Sequence, residues 1–337
     1  MADVSLKSIA KQLNLSISTV SRALHNHPDI SKETKNRVLN LASELDYHIN
    51  SIAQGLKKKR TNTIGVIVPE IKHDFFAEVI SGIEEITYNA GFAIVVCESD
   101  EDVNREILNT RALASNRVAG LLVSVSQSTT DCNHFKLLQK KGIPIVFFDR
   151  VIDNIEVSKV LVDDYKGAFQ IVEYLIQSGY RRIAHIAGPD NISISRERLQ
   201  GYKEALQQYD YPIDETLIKF GGLNEQDGAK AIRSLLNLEI LPDAVFAVND
   251  PTAFGAYEVI KKQELRIPED IAIVGFSNSR LSAYIQPKLT TVDQPGYEVG
   301  ITAAKLLLDH INAIESNEVF PSRTEIVNTK LIIRQSA

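Results

Sequence analysis

Apolar residues in the first fifty positions recur at the spacing of one helix face, and no strand-like alternation interrupts them. The inward positions of three short helices are Leu6, Ile9, Ala10 and Leu13, then Val20, Ala23 and Leu24, then Val38, Leu41, Ala42 and Leu45. Ser5, Ser16 and Ser31 precede these runs, as N-cap residues do. Asn14 suits the left-handed backbone of a tight turn. Two helices joined by such a turn have the helix-turn-helix layout.

From Thr61 onward the pattern changes to continuous apolar runs that alternate with amphipathic helical segments. The apolar runs lie at 63–69, 92–98, 119–125, 143–149, 182–189, 244–250, 271–276 and 289–293. The helical segments include 76–90, 102–116, 167–178, 197–208, 225–238 and 252–263. Buried strands that alternate with helices predict parallel sheets covered on both faces. About ten strands are too many for one comfortable sheet, so we expect two doubly wound α/β subdomains with a ligand cleft between them.

Between these two parts, the segment 48–60 reads "HINSIAQGLKKKR" and predicts a weak helix that ends in four basic residues. Asn50 can cap this helix, and Ile52, Ala53 and Leu56 form its apolar side. Isolated helices shorter than ~12–15 residues are marginal in water. We therefore expect the segment to fold only against a partner.

The outward side of the second helix carries small hydroxyl groups and one arginine. Ile17, Ser18, Ser21 and Arg22 stay outside when Val20 turns inward. Short hydroxyls let a helix lie close to base edges in a DNA major groove, and Arg can bond guanine with two hydrogen bonds. A plain three-helix bundle with a polar outer face is the alternative.

Charge is distributed unevenly along the 337 residues. Residues 1–60 hold ten Lys/Arg against five Asp/Glu, whereas the rest holds 27 against 38, and the whole chain has a net charge of −6. A basic head on an acidic body indicates that only the head meets a polyanion. We find neither a signal-peptide pattern nor an apolar run of the ~18 residues that a membrane span needs, so we expect a cytoplasmic protein.

Catalytic loop motifs do not stand at the predicted strand–helix junctions. We find no G-x-S-x-G, P-loop or G-x-G-x-x-G pattern there, and we expect neither an enzyme nor a bound cofactor. Cys97 and Cys132 lie far apart with no histidine at metal-ligand spacing. His25 and His27 lack an evident third ligand, so we predict no metal site.

Longer motifs resemble one family. The stretch from Ser5 to Pro69, which begins "SLKSIAKQLNLSISTVSRAL", is similar almost throughout to the head of the LacI/GalR (lactose/galactose repressor) family of transcription regulators. "FFDR" at 147–150, "VNDPTAFGA" at 248–256 and "VGFSNSRLSAYIQPKLTTVDQP" at 274–295 extend the resemblance. It implies a periplasmic-binding-protein-like body that binds a small effector, most often a sugar or nucleobase. It also implies a homodimer that binds near-palindromic double-stranded operator DNA.

The resemblance assigns roles in the head residue by residue. Leu6, Ile17, Ser18 and Arg22 take the base-reading positions, and Leu56 takes that of the leucine wedged into the minor groove. The expected phosphate contacts, which position the head without reading sequence, are Ser16, Ser21, Asn26, Ser31, Thr34, Tyr47, Asn50, Lys57 and Lys59.

The resemblance likewise assigns the effector site. The expected residues are Phe75, Phe76, Ser124, Asp149, Arg198, Asn249, Ser277 and Gln294. Simpler roles stay open, because the phenylalanines can be core residues, Asp149 can cap a turn and Arg198 can form an ordinary salt bridge. Ser277 and Asn278 stand where many sugar-responsive members carry Asp, which favours an acidic or phosphorylated sugar.

We expect a head at 1–47, a hinge helix at 48–60 and a core at 61–337. Within the core, we assign about 61–162 and 293–322 to the first subdomain and about 163–292 and 323–337 to the second. The chain ends close to its last predicted strand without an apolar heptad repeat, so we expect a dimer rather than a tetramer. The alternatives are control by a corepressor or a partner protein, or a solute-binding protein.

Overall fold

The computed structural model describes residues 5–24, 26–45, 47 and 60–337. It divides into two compact units, Met1–Lys59 and Arg60–Ala337, which are considered separately below. The expected hinge helix, with Asn50, Leu56, Lys57 and Lys59, lies outside the described residues apart from Arg60.

The first unit holds the three predicted helices, α1 (Leu6–Leu13), α2 (Ile17–Leu24) and α3 (Lys32–Glu44). The three predicted N-cap serines each accept a backbone hydrogen bond, Ser5 from Ser8, Ser16 from Thr19 and Ser31 from Thr34. Asn14 has a φ of 54°, which confirms the left-handed turn between α1 and α2. The core of this unit consists of Ile9, Ala10, Val20, Ala23, Val38 and Ala42.

The second unit contains two six-stranded sheets. The strands are β1 (Thr63–Val68), β2 (Ala93–Glu98), β3 (Gly120–Val123), β4 (Ile145–Phe148), β5 (Ser158–Val162), β6 (Ile183–Ala187), β7 (Ile218–Phe220), β8 (Ala244–Ala247), β9 (Ala272–Ser277), β10 (Thr290–Asp293), β11 (Thr324–Val327) and β12 (Lys330–Ile332). Their orders are β11-β5-β4-β3-β1-β2 and β12-β10-β9-β8-β6-β7. All pairs are parallel except β10 with β12, which is antiparallel.

Eight helices cover the faces of these sheets. They are α4 (Asp74–Asn89), α5 (Val103–Ser115), α6 (Asn133–Lys140), α7 (Asp164–Gln177), α8 (Ser193–Gln208), α9 (Glu225–Leu236), α10 (Asp250–Lys262) and α11 (Gly296–Glu315) in the described part of the chain. Each sheet has an apolar layer on both faces, which is why its central strands read as continuous apolar runs. The expected doubly wound architecture is thus confirmed.

The chain crosses between the two sheets three times, after Val162, after Asp293 and after Val327. β11 pairs in parallel with β5 of the first sheet, Thr324 standing opposite Lys159. The predicted last boundary at 322/323 is therefore wrong, because β11 still belongs to the first subdomain. A short edge strand with an alternating burial pattern left no continuous apolar run to reveal it.

No helix among the described residues is long and apolar enough to cross a membrane.

Candidate functional site

The outward side of α2 presents polar and apolar groups on one short surface. Val20 and Ala23 are buried, whereas Ile17 is 49% exposed and Ser18 and Arg22 are also exposed. The Ser16 and Ser18 hydroxyls lie 2.7 Å apart at the start of this helix. This surface offers one apolar contact, hydroxyls that can donate or accept, and one guanidinium, which are the groups that read base edges in a major groove.

Other residues expected at DNA lie around this surface within the first unit. Leu6 is half-buried against the small core, so only part of its side chain is available for a base. Ser31 caps α3 and donates from its hydroxyl to Thr34 Oγ1 at 2.9 Å. The predicted phosphate contacts that remain at least partly exposed are Ser16, Ser21, Asn26, Ser31, Thr34 and Tyr47.

A cavity of about 200 Å³ lies between the two subdomains of the second unit, and we call it the cleft cavity. Its walls come from the segments that follow β1, β4, β9 and β10, and the first residues of α8, α9 and α10 complete them. These are carboxyl ends of parallel strands, where open α/β sheets bind ligands. Six of the eight predicted effector residues line it: Phe75, Phe76, Asp149, Arg198, Ser277 and Gln294.

Asp149 forms the polar floor of this cavity. Ser124 donates from Oγ to its Oδ2 at 3.2 Å, and Gln294 donates from Nε2 to its Oδ1 at 3.2 Å. Its φ of 59° is left-handed, as an Asp tolerates at a strand end. Burial raises the pKa of Asp149, and the charges of Arg150 and Arg198 oppose that rise. The hydrogen bonds to the carboxylate thus come from neutral donors, with Arg150 Nε 3.8 Å from its Oδ2, and lone pairs remain for ligand hydroxyls.

Arg198 is the largest fully buried side chain of the described residues. Its Nη2 lies 2.6 Å from Asp164 Oδ1, and its Nη1 donates to the Val248 carbonyl at 2.6 Å. The guanidinium carbon sits 3.7 Å from the centre of the Phe276 ring, as in a cation–π contact. Burial raises the pKa of Asp164 to about 6, against the opposing charge of Arg198. The arginine is therefore fixed both as a structural ion pair and as a wall of the cavity.

Two further cationic groups line the cavity, and each has an acidic partner. Arg150 donates from Nη1 to Glu101 Oε1 at 2.6 Å. Lys72 Nζ lies 3.0 Å from Glu70 Oε2, and the ring of His73 contacts the same carboxylate. Burial tends to raise the pKa of Glu70, but His73 and Lys72 outweigh it and the pKa lies below its ordinary value.

Three buried polar atoms of the lining have no hydrogen-bond partner within the described residues. They are His73 Nε2, Arg150 Nε and Ser279 Oγ. Buried polar groups without a partner are rare in proteins and call for an explanation. The Arg150 nitrogen can only donate, the Ser279 hydroxyl can donate, and the His73 nitrogen donates in one of its tautomers. A ligand that offers oxygen acceptors would satisfy all three.

Two predicted effector residues do not reach the cavity. Asn249 caps α10, because its Oδ1 accepts from Thr252 N at 2.9 Å while its Nδ2 donates to the Leu223 carbonyl at 2.8 Å. Ser124 is fully buried behind Asp149 and holds that carboxylate instead. Phe76 belongs to the apolar core as well as to the lining, and its contact with an effector stays a prediction.

The sequence reasoning also missed residues at this site. Lys72, His73, Arg150 and Glu225 line the cavity, and all but Glu225 closely follow a predicted strand. Asp250 lies behind the loop at Ser277, where it accepts from Ser279 N at 2.7 Å and from Thr291 Oγ1 at 2.6 Å. Burial raises the pKa of Asp250 to about 6, although these hydrogen bonds oppose the rise.

No group of three or more metal-ligating His, Cys, Asp or Glu side chains occurs in the part of the chain that the structure describes.

The two units together define a class of protein, a transcription regulator with a helix-turn-helix and a two-subdomain ligand-binding body. Residues 5–50 match the model of bacterial regulatory proteins of the lacI family. Residues 61–334 match the model of periplasmic binding proteins and the sugar binding domain of the LacI family. The chain belongs to the LacI family of bacterial transcription regulators.

Relatives match over nearly the whole chain. The repressor CytR of Escherichia coli K12 is 34% identical, covering 98% of this chain and 95% of its own. The probable repressor ExuR of Bacillus subtilis 168 is also 34% identical, covering 99% and 98%. Catabolite control protein A of Priestia megaterium is 31% identical, covering 96% and 98%.

Solved structures are also similar to this chain over nearly its whole length. The lac repressor dimer bound to operator and the anti-inducer ONPF is 25% identical, covers 99% of this chain and 98% of its own, and has a TM-score of 0.86. The complex of the transcriptional regulator CelR with cellobiose is 31% identical, covers 99% and 100%, and has a TM-score of 0.75.

Proposed function

We propose that this protein is a repressor whose α2 reads operator bases in the major groove. The observation that carries the proposal is the two-sided character of α2, which buries Val20 and Ala23 while Ile17, Ser18 and Arg22 stay exposed. Arg22 would bond a guanine, Ser18 would bond a base edge and Ile17 would contact a thymine methyl. Leu6 would add an apolar contact to a base edge, and the exposed hydroxyls of the head would position it on the backbone. The similarity to the repressor CytR and the probable repressor ExuR supports repression rather than activation.

The ligand of the cleft cavity is an uncharged, oxygen-rich molecule of the sugar class. The cations of the lining are already matched, Lys72 by Glu70, Arg150 by Glu101 and Arg198 by Asp164, so no surplus positive charge remains for an anion. Asp149 would in addition repel an acidic group. We therefore favour a neutral sugar over the acidic or phosphorylated sugar expected from Ser277 and Asn278. Asn278 turns towards Asp293 and Arg334 instead.

Control would pass through the three chain crossings between the sheets. A ligand that binds one arrangement of the subdomains more tightly shifts the population towards it. The segment 48–59 would transmit that shift to the head, and the coupling between the two sites must be reciprocal. The protein would bind and release its ligand unchanged, as a regulator and not an enzyme.

The protein acts as a homodimer in this proposal. β2 is an edge strand of the first sheet, and its Val95 and Val96 are 44% and 38% exposed. Unpaired edge strands with exposed valines are prone to associate with another chain. Sedimentation equilibrium should give twice the chain mass, and Val96→Asp should give the monomer. A wild-type monomer at micromolar concentration would refute the dimer, and cell fractionation should place the protein in the cytoplasm.

The deciding experiment is selection of bound sites from a random duplex pool, followed by binding measurements on the selected duplex. We expect a near-palindrome, an affinity that falls linearly with salt on logarithmic axes, and a change in affinity when a neutral sugar is added. The sugar should be recovered unchanged. Equal affinity for every duplex would contradict sequence-specific recognition, and indifference to all sugars would contradict the effector.

A further inference from the structure

A second cavity of about 300 Å³ lies between the same two subdomains. The first subdomain supplies the segments after β3 and β4, and the second supplies the turn before α8 and its first residues. Its base is apolar, with Val125 and Ile192 buried, and its rim is polar, with Thr130, Asn154 and Arg196 exposed. None of the predicted effector residues lines it.

The second cavity adjoins the cleft cavity through shared elements. Arg150 lines the cleft cavity, and the next residue, Val151, lines the second. On the other wall, Ile194 faces the cleft cavity while Ile192 faces the second. One turn further along α8, Arg198 lines the cleft cavity and Arg196 lines the second cavity. Neighbouring residues of the same two segments therefore form both cavities.

The carboxylate of Glu101 links the walls of the two cavities. Glu101 accepts from Arg150 Nη1 at 2.6 Å and from the backbone N–H of Gln127 at 2.8 Å. Arg150 belongs to the cleft cavity and Gln127 to the second. Glu101 also has a left-handed φ of 57°, and its own carbonyl accepts from Ser128 Oγ at 2.8 Å. The loop that walls the second cavity is thus tied to a residue of the first.

The chemistry of the second cavity suits hydroxyl groups. The side chains of Gln127, Thr130 and Asn154 form no hydrogen bond within the described residues. Arg196 Nη1 donates to the Asn191 carbonyl at 3.0 Å, which holds the guanidinium at the rim, while its Nη2 lies 3.9 Å from Asp153 Oδ2 and can still reach a ligand. Asn191 Nδ2 donates to the Gln127 carbonyl at 2.5 Å and closes the cavity across the two subdomains. Amide and hydroxyl groups and a loose ion pair over an apolar base are groups that can bind a carbohydrate.

Size gives the deciding argument. The cleft cavity, at about 200 Å³, falls below the ~300–1,000 Å³ common for small-molecule sites. The second cavity, at about 300 Å³, stands at the lower end of that range, and the two cavities together lie within it. We propose that the effector has two linked sugar-sized units, one in the cleft cavity and one in the second cavity among Gln127, Thr130, Asn154 and Arg196. This inference rests on the proposed neutral sugar effector and specifies its length.

The test blocks the second cavity without altering the first. Thr130→Trp places a large side chain on its exposed rim, and Thr324→Trp on the exposed edge strand β11 is the matched control. A panel of neutral monosaccharides and disaccharides is first screened by thermal shift on the full chain. The best disaccharide and its component monosaccharides are then titrated by calorimetry.

We expect the wild type to bind that disaccharide at least about tenfold more tightly than either component, from two or more added hydrogen bonds. Thr130→Trp should remove this advantage and leave monosaccharide affinity within twofold, whereas Thr324→Trp should change neither. A monosaccharide that binds wild type as tightly as any disaccharide overturns the inference but leaves the sugar effector standing. Unchanged disaccharide affinity in Thr130→Trp does the same. If no sugar of either size binds, both proposals are wrong.

Discussion

The carboxylate of Asp74 accepts a hydrogen bond from the backbone N–H of Arg280 at 2.8 Å, and this bond joins the two subdomains across the cleft cavity. Asp74 begins α4 in the first subdomain and also lines the cavity. Arg280 begins a short 3₁₀ helix in the second subdomain. The contact is made when the subdomains are close, so it favours the closed arrangement.

Removing this contact should weaken ligand binding. We expect Asp74→Ala to lower sugar affinity about fivefold, because a partly exposed hydrogen bond to a charged group contributes about 1 kcal/mol. Asp74→Asn keeps an acceptor oxygen and should lose less. Calorimetric titration of the three proteins measures the effect. Identical affinities for Asp74→Ala and the wild type would show that the contact does not stabilise the ligand-bound form.

Arg198 should be required for both stability and binding, and the two roles can be separated. Arg198→Met leaves Asp164 buried without its partner and should lower the free energy of unfolding by about 3–5 kcal/mol. The double variant Arg198→Met with Asp164→Leu removes both charges and should regain most of that loss. Denaturant unfolding measures stability, and calorimetry measures binding. Neither variant should bind sugar, and a double variant that binds like wild type would exclude Arg198 from the site.

Arg22 should contribute to sequence recognition rather than to general attraction. We expect Arg22→Ala to lower affinity for the selected operator about 10–100-fold and to relax the preference at one base pair of each half-site. Arg37→Ala removes another exposed charge, from α3, and serves as the control. Arg37→Ala should weaken binding to all duplexes by a similar factor. That factor should be smaller than the loss that Arg22→Ala causes at the selected operator. An equal loss in the two variants would remove Arg22 from the base-reading surface.

His185 should make the second subdomain sensitive to acid. It is fully buried between the rings of Tyr202 and Phe246, and its Nδ1 lies 2.9 Å from the Phe246 carbonyl oxygen. Burial lowers the pKa of His185 from 6.5 to about 4. The unfolded chain therefore binds more protons between these values, so stability is fully present above about pH 6.5 and falls as the pH drops towards 4.

The size of this effect is about 3 kcal/mol across that interval. His185→Phe should be less stable than wild type at pH 7 because a buried hydrogen bond is lost. Its stability should nevertheless fall less between pH 7 and pH 4.5. Denaturant unfolding at a series of pH values measures both. Parallel pH profiles for the two proteins would show that His185 is not the group responsible.

Part of the fold could be predicted because it depends on near neighbours. The helices of the head followed from the spacing of Ile9, Val20 and Val38, and their starts followed from serines that cap three residues ahead. The strands that were missed are short or alternate in burial, such as Ser158–Val162, so no apolar run marked them. The helix Gly296–Glu315 was not identified either, although its buried residues pack against those of α4 in one apolar core.

The sequence by itself determined the order of elements, the outward surface of α2 and the strand ends where a ligand site would lie. Only the tertiary structure decided that Arg198 is neutralised by Asp164, that Asn249 Nδ2 donates to the Leu223 carbonyl, and that a second cavity lies beside the first. The physical reason is the separation along the chain between the residues that interact. Caps and periodicity act within about four residues along the chain. Arg198 and Asp164 lie 34 residues apart and meet only when their helices pack on the second sheet, and the cavities form only where the two subdomains face each other.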